Sequence, residues 1–135
     1  MSTLDTALAL SLAIQNGELL ARADELLAED FHYSGAAGMQ LDKAGYVGFM
    51  HALSQSFSDQ QMTFHATVAE GDKAAVAWTN DMTHTAEYQG VPATGKRITA
   101  QGNWVRLIVE GKVAREWDTT DIFGLMQQLG AFGQH

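Results

Sequence analysis

Two carboxylates, Glu116 and Asp118, stand two residues apart in Val113-Ala114-Arg115-Glu116-Trp117-Asp118, beyond an apolar run that ends at Glu110-Gly111. Glu110-Gly111 reads as a hairpin turn, which makes 97–109 and 112–119 antiparallel neighbours. Asp118 then sits near the end of a strand in a largely apolar chain. Burial disfavours the charged form of a carboxylate and raises its pKa, so Asp118 has the makings of a general base.

The residues that face Asp118 depend on the turn. A mirror-image two-residue loop demands positive φ at Glu110, which a side chain resists. A type I turn with Gly111 in the left-handed position suits the sequence better. That register sets Ile108 against Lys112, Trp104 against Glu116 and Gly102 against Asp118. Ala100, Gly102, Trp104, Ala114, Glu116, Asp118 and Thr120 then share one face, and Gly102 leaves open space before the carboxylate for a substrate. Glu116 has two readings. It pairs diagonally with Arg106 across the hairpin, or it lines the pocket and raises the pKa of Asp118 as a like charge. Asp121, directly before Ile122-Phe123, reads as a helix cap.

The elements that must position these residues begin with helical spacing in the first half of the chain. Residues 3–15 are rich in Leu and Ala, and Gly17 interrupts them. Segment 18–28 aligns Leu19, Leu20, Ala23, Leu26 and Leu27. Segment 42–57 aligns Tyr46, Phe49, Met50, Leu53 and Phe57 behind Asp42 as N-cap. The second half alternates as strands do: Met62, Phe64, Ala66 and Val68 lead to a turn at Gly71-Asp72, and Val76, Trp78, Met82, Ala86 and Tyr88 follow. The 74–88 run is long for one strand, and a bulge near Asn80-Asp81 is expected. Residues 89–95, which hold the lone Pro92, read as a loop. Helices first and strands second predict an α+β domain, a curved, mainly antiparallel sheet closing as a conical barrel over N-terminal helices, with a short C-terminal helix.

The 135 residues suit one domain, 1–135, and 46% hydrophobic content excludes a disordered chain. A net charge of −8 argues against nucleic acid and anionic membrane surfaces. Cysteine is absent, so thiolate chemistry is excluded. With no basic leader and no apolar run of spanning length, a cytoplasmic protein is expected. The five histidines lack paired metal-ligand spacing, no glycine-rich phosphate motif is present, and no serine sits in a nucleophile elbow.

The chain resembles the SnoaL-like polyketide (ester) cyclases of the nuclear-transport-factor-2-like superfamily. The stretches that carry this are Thr83-His84-Thr85-Ala86-Glu87-Tyr88-Gln89-Gly90-Val91-Pro92-Ala93-Thr94-Gly95-Lys96, Ile108-Val109-Glu110-Gly111-Lys112-Val113 through Glu116-Trp117-Asp118, the closing Gln127-Gln128-Leu129-Gly130, and Asp30-Phe31 in a first strand. The resemblance implies a conical α+β barrel, a homodimer, and neither metal nor organic cofactor. It implies intramolecular aldol chemistry on a small hydrophobic carbonyl compound, with the family's aspartate base at Asp118. The glutamine and histidine that flank that base in the family correspond to Gly102 and Trp104, and the histidine two residues before it to Glu116. The base is kept and its polar surroundings are rebuilt.

Tyr33 and His32 follow Phe31 near the expected pocket mouth, where Tyr33 either donates a hydrogen bond to a substrate oxygen or simply packs. His84 lies on a strand expected to line the cone, where it is either a wall residue or an acid–base. Trp78 and Trp104 supply aromatic walls if inward. His51 and His65 fall on polar sides. These residues together point to a cofactor-independent enzyme with Asp118 as catalytic residue and Tyr33, His84, Gly102, Trp104 and Glu116 around the substrate. The rivals are a non-catalytic small-molecule binding module, and an epoxide-opening hydrolase built on Arg106, Asp118 and Asp81. A dimer would form through the outer sheet face that bears Thr99, Gln101, Asn103, Val105, Leu107 and Trp117.

Overall fold

The computed structural model describes residues 1–132. Helix α1 (Thr3–Gln15) starts from a capping box, in which the Ser2 hydroxyl accepts from Asp5 N and the Asp5 carboxylate accepts from Ser2 N. Gly17, at φ +71°, turns the chain into α2 (Leu19–Leu26), and β1 (Leu27–Ser34) follows without a loop. Leu27 is therefore the first residue of a strand rather than a helical one, although its side chain is fully buried. Leu20 points outward at 62% exposure, because one helix face of this short element holds Leu19 and Leu26 and leaves no room for their neighbour.

A short turn leads to β2 (Gln40–Asp42) and α3 (Lys43–Ser56), which Asp42 caps through Gly45 N at 2.8 Å. The long strands β3 (Phe57–Glu70) and β4 (Lys73–His84) form a hairpin, β5 (Arg97–Val109) and β6 (Lys112–Thr120) a second, and α4 (Ile122–Gln128) closes the fold. The six strands lie in the order β2-β1-β6-β5-β4-β3, with β1 parallel to β6 and every other pair antiparallel. The sheet does not close on itself; it curls around α1 and α3 as a cone. Among the described residues no helix is long and apolar enough to cross a membrane.

The bend comes from bulges, and these fall elsewhere than expected. Strand β4 is regular and ends at His84. The extra residues lie on its partner β3, at Asp59-Gln60 opposite Met82 and at His65. Asp59 takes φ +51° there, and each inserted residue tightens the local twist and lets a 14-residue strand wrap the helices.

The β5–β6 hairpin also departs from the expected register. Glu110 and Gly111 take φ +51° and +77°, the mirror-image two-residue turn that a glutamate side chain resists. Val109 pairs with Lys112 and Ile108 with Val113; Ala114 then bulges out and Leu107 pairs with Arg115. The bulge resets the alternation, so Val113 and Glu116 both point inward. Arg106 lies directly opposite Glu116, Trp104 opposite Asp118, and Gly102 opposite Thr120. Twist matching across the hairpin outweighs the strain at one glutamate.

Arg106 and Glu116 tie this hairpin to the helices. Arg106 Nε donates to Glu116 Oε1 at 2.6 Å, and its Nη1 donates to Ala7 O and Ser11 Oγ of α1, each at 2.7 Å. Tyr46 of α3 donates to the same Glu116 oxygen at 3.2 Å, and the guanidinium lies 3.8 Å from the Trp104 ring centroid. Both charges are 2% exposed. Breaking one side of such a pair strands the other charge in the core.

Urea unfolding tests both the pair and the turn. Arg106→Leu should cost about 3–5 kcal/mol, and Arg106→Leu with Glu116→Leu should recover much of that loss; a single variant within about 1 kcal/mol of wild type would contradict the pairing. Glu110→Asn should stabilise by roughly 0.5 kcal/mol, since asparagine tolerates the left-handed conformation; a lowered urea midpoint would contradict the turn.

Candidate functional site

The inner face of the sheet, α1, α3, α4 and the two connections at Ala36–Met39 and Tyr88–Gln89 enclose a cavity of about 570 Å³. Its wall is mainly apolar: Phe49, Met50, Leu53, Met82, Leu125 and Met126 face it, and all five methionines after Met1 line it. A volume of this order takes a drug-sized organic ligand.

Polar groups gather on the wall formed by β1, β5 and β6. Asp118 lines the cavity, and its Oδ2 accepts from Thr120 Oγ1 at 2.7 Å and Tyr33 OH at 3.1 Å. Among the described residues Asp118 Oδ1 accepts no hydrogen bond, and Asp118 forms no ion pair. Burial pushes the Asp118 carboxyl above the usual aspartate value, against the opposing pull of the Thr120 and Tyr33 hydrogen bonds and of the Arg106 charge. Glu116 also lines the cavity. Burial raises its pKa and the Asp118 charge adds to the rise, while Arg106 draws it down. The like-charge effect thus falls on Glu116, and Glu116 is both the partner of Arg106 and a wall residue.

Tyr33 reaches Asp118 because β1 runs parallel to β6, with Tyr33 paired to Glu116 in register. A Cβ at Gly35 would lie 2.5 Å from Tyr33 Cε1, so glycine there makes room for the folded-back phenol. Burial and the adjacent Asp118 charge raise the Tyr33 pKa, which keeps the phenol protonated and a donor at neutral pH. Tyr46, its ring centroid 5.2 Å away, is likewise raised by burial.

Trp104 stands opposite Asp118, 4% exposed and on the cavity wall. Gly102 does not open space before Asp118. A Cβ there would meet Trp78 Cζ2 at 2.9 Å and the backbone of Thr119 and Thr120, so the glycine accommodates an indole, and Trp78 faces the cavity in its place. His84 is fully buried but off the cavity wall. Thr94 N donates to its Nδ1 at 3.2 Å, its ring packs 5.3 Å from Phe57, and it anchors the 85–96 connection. His32 points away from the cavity side of β1 toward Gln40 Oε1, 2.6 Å from Nε2. His65 meets Thr79 Oγ1 at 2.8 Å on an exposed position, and His51 is exposed. Asp81 accepts from Thr99 Oγ1 at 2.6 Å on the outer face of the sheet. It cannot join Arg106 and Asp118, and the Asp-Arg-Asp arrangement required for epoxide opening is not formed. Asp121 caps α4 through Gly124 N at 2.8 Å.

Two site residues lie beyond those expected from the sequence, Tyr46 and Asn80, while Thr120 stands on the expected Asp118 face but with no role assigned to it there. Thr120 was legible as an even-numbered neighbour on the Asp118 face; Tyr46 and Asn80 carried no local signal beyond their helical and strand periodicity.

The model of the SnoaL-like polyketide cyclase family matches residues 5–129. Similar solved structures include AclR, a proposed hydroxylase from Streptomyces galilaeus, with 25% identity, 96% of each chain covered and a TM-score of 0.86. IdmH, a proposed polyketide cyclase from Streptomyces antibioticus, shows 25% identity over 96% of this chain and 99% of that one, with a TM-score of 0.85. TsrD from Streptomyces laurentii shows 26% identity over 96% of each chain, with a TM-score of 0.81. Among curated proteins none matches. With its match over residues 5–129 and its cone of six strands over helices, this chain belongs to the SnoaL-like polyketide cyclase family.

Proposed function

We propose that the protein is a cofactor-independent enzyme that removes a proton from carbon next to a carbonyl of a hydrophobic substrate, with Asp118 as the general base. The observation that carries this is the state of Asp118: a carboxylate on an apolar cavity wall, oriented by two hydroxyls on Oδ2, with Oδ1 uncommitted and no cation paired to it among the described residues. Burial strengthens it as a base relative to an aspartate in water. In the reaction, Oδ1 takes the proton, and the electron pair left on carbon is delocalised onto the carbonyl oxygen as an enolate. Attack of that enolate on a second carbonyl of the same molecule forms the new carbon–carbon bond, and the proton returns to the resulting alkoxide. Arg106, on the same wall, supplies positive charge near the enolate, and Trp104 and Tyr33 shape the floor. Ketosteroid isomerase pairs a carboxylate base with hydrogen-bond donors in the same way. The likeness to a proposed cyclase supports ring closure as the reaction class.

Proton abstraction can be read without the natural substrate, as exchange of the C1 protons of 2-tetralone in deuterium oxide followed by NMR. Wild type should accelerate the exchange, Asp118→Asn should lower the enzyme-dependent rate about 10²–10⁴-fold, and Asp121→Asn should leave it nearly unchanged. A bound 2-tetralone that exchanges no faster than in buffer would favour the binding module, and an active Asp118→Asn would remove Asp118 from the role.

The same burial carries a stability cost of known sign. A carboxyl with a raised pKa binds more protons folded than unfolded between the two pKa values, so stability falls as pH rises through that window. Asp118→Asn should therefore melt above wild type at pH 7, and the gap should close below the ordinary aspartate pKa of about 4. An Asp118→Asn melting point below wild type at pH 7 would contradict a destabilised carboxylate.

We further place a homodimer contact on the outer sheet face. Thr99, Gln101, Asn103 and Trp117 are exposed there, and Val105 and Leu107 are half-buried, a mixed surface of interface character. Light scattering at micromolar concentration should return twice the 14.6 kDa chain mass; a monomer mass would contradict the contact.

A further inference from the structure

The cavity wall divides into a fixed part and an adaptable part. On β1, β5 and β6 the charged groups are held in place, Arg106 and Glu116 by their buried pair and Asp118 by Tyr33 and Thr120. The five methionines that follow Met1 also line the cavity, and each comes from a different part of the fold. Met39 stands in the turn before β2, Met50 on α3, Met62 on β3, Met82 on β4 and Met126 on α4. The packed core is built otherwise. Among the described residues, the buried clusters around Leu10, Phe31 and Val113 and around Ala74, Val76 and Trp104 contain no buried methionine. Met82 alone of the five is enclosed, at 7% exposure, with Asn80 Nδ2 3.7 Å from its Sδ. Met50 and Met126 are half-buried and back onto core clusters. Met62 is half-buried between exposed Gln61 and Thr63, which turns it to the inner face of β3, and Met39 is exposed. Four thioethers therefore border the cavity without being packed on every side.

A methionine is unbranched, with freely turning side-chain bonds and a polarisable thioether, so it changes rotamer to fit the surface beside it. Within a close-packed core such a change opens a void. Beside a cavity it only redistributes space that is already empty. We propose that Met39, Met50, Met62 and Met126 make the cavity tolerant of shape, so that the protein takes a set of neutral carbonyl compounds with differently shaped apolar bodies. The inference rests on the reading of the cavity as a substrate site and adds the breadth of its substrate class. Asp118 and its two hydroxyl partners fix the reacting end, and the methionines fit the body from the turn, one strand and two helices. Surfaces that recognise several partners use flexible methionines in the same way. Neutrality follows from the wall's charges. Among the described residues these are Arg106, Glu116 and Asp118, and Arg106 is already balanced by Glu116. A ligand carboxylate would meet the Asp118 charge with no free cation to pair it.

The test holds functional group and carbon count fixed and varies the body. The probes are four ten-carbon ketones: 2-tetralone is a fused ring, 4-phenyl-2-butanone an aryl chain, 2-decanone a linear chain and 2-adamantanone a cage. Each is titrated against the whole protein by calorimetry, and wild type should bind all four. The quadruple variant Met39→Leu, Met50→Leu, Met62→Leu, Met126→Leu keeps side-chain volume and apolarity but brings in a branched, less adaptable side chain. Ligand hydrophobicity then cancels between the two proteins. The ratio of tightest to weakest affinity should widen about threefold or more in the variant. A smaller widening, or failure of any one of the four ketones to bind wild type, would overturn the proposal. Met50→Leu and Met62→Leu alone should each move the ratio in the same direction, which keeps the test decisive if the quadruple variant misfolds. Asp118→Asn should leave the ratio as in wild type, while deuterium exchange of 2-tetralone reads the base separately. Tolerance of all four bodies without exchange would keep this inference and strike the base; exchange in a protein that accepts only the fused ring would do the reverse.

Discussion

The Arg106–Glu116 pair holds the inner wall together. It is buried at 2% exposure on both sides, and its remaining hydrogen bonds run to α1 through Ala7 and Ser11 and to α3 through Tyr46. Two helices and two strands thus meet at one charged contact. Desolvation makes such a pair costly unless each polar atom finds a partner, and here the helices supply those partners. The contact exists only in one register of the β5–β6 hairpin. The mirror-image turn and the bulge at Ala114 set that register together.

The same register separates two carboxylates that stand two residues apart. Glu116 meets a guanidinium and becomes part of the framework. Asp118 meets hydroxyls and an indole, with no cation in direct contact among the described residues, and its ionised form is penalised by burial. Environments that push like groups into different states are how one fold assigns structural and chemical roles. The arrangement asks stability to carry the cost of a poorly compensated charge, as functional sites commonly do.

The fold was legible where periodicity alone decides it. The caps at Asp42 and Asp121, the turn at Gly71-Asp72, the helix of α3 and the α+β order all follow from local residue chemistry. The family resemblance likewise rests on contiguous stretches. What stayed hidden depends on tertiary competition. Leu27 has helical spacing but pairs with Val113 once β1 docks beside β6. Glu110 accepts a strained φ because the hairpin twist requires it. Gly102 looked like free space, and only the fold shows the Trp78 indole filling it. His84 has the right strand and the wrong depth: it serves the 85–96 connection through Thr94. Partners on distant elements, such as Tyr33 for Asp118, have no signature in a single chain beyond their residue type.

A raised Asp118 pKa is the property from which both its base strength and its cost to stability arise. It can be measured directly by NMR titration of the protein labelled with 13C at aspartate Cγ, with the Asp118 resonance identified by its loss in Asp118→Asn. A midpoint clearly above the ordinary aspartate value of about 3.9 is the expected result. An Asp118 midpoint at or below that value would show a well-solvated or ion-paired carboxylate, and the general-base reading would fall.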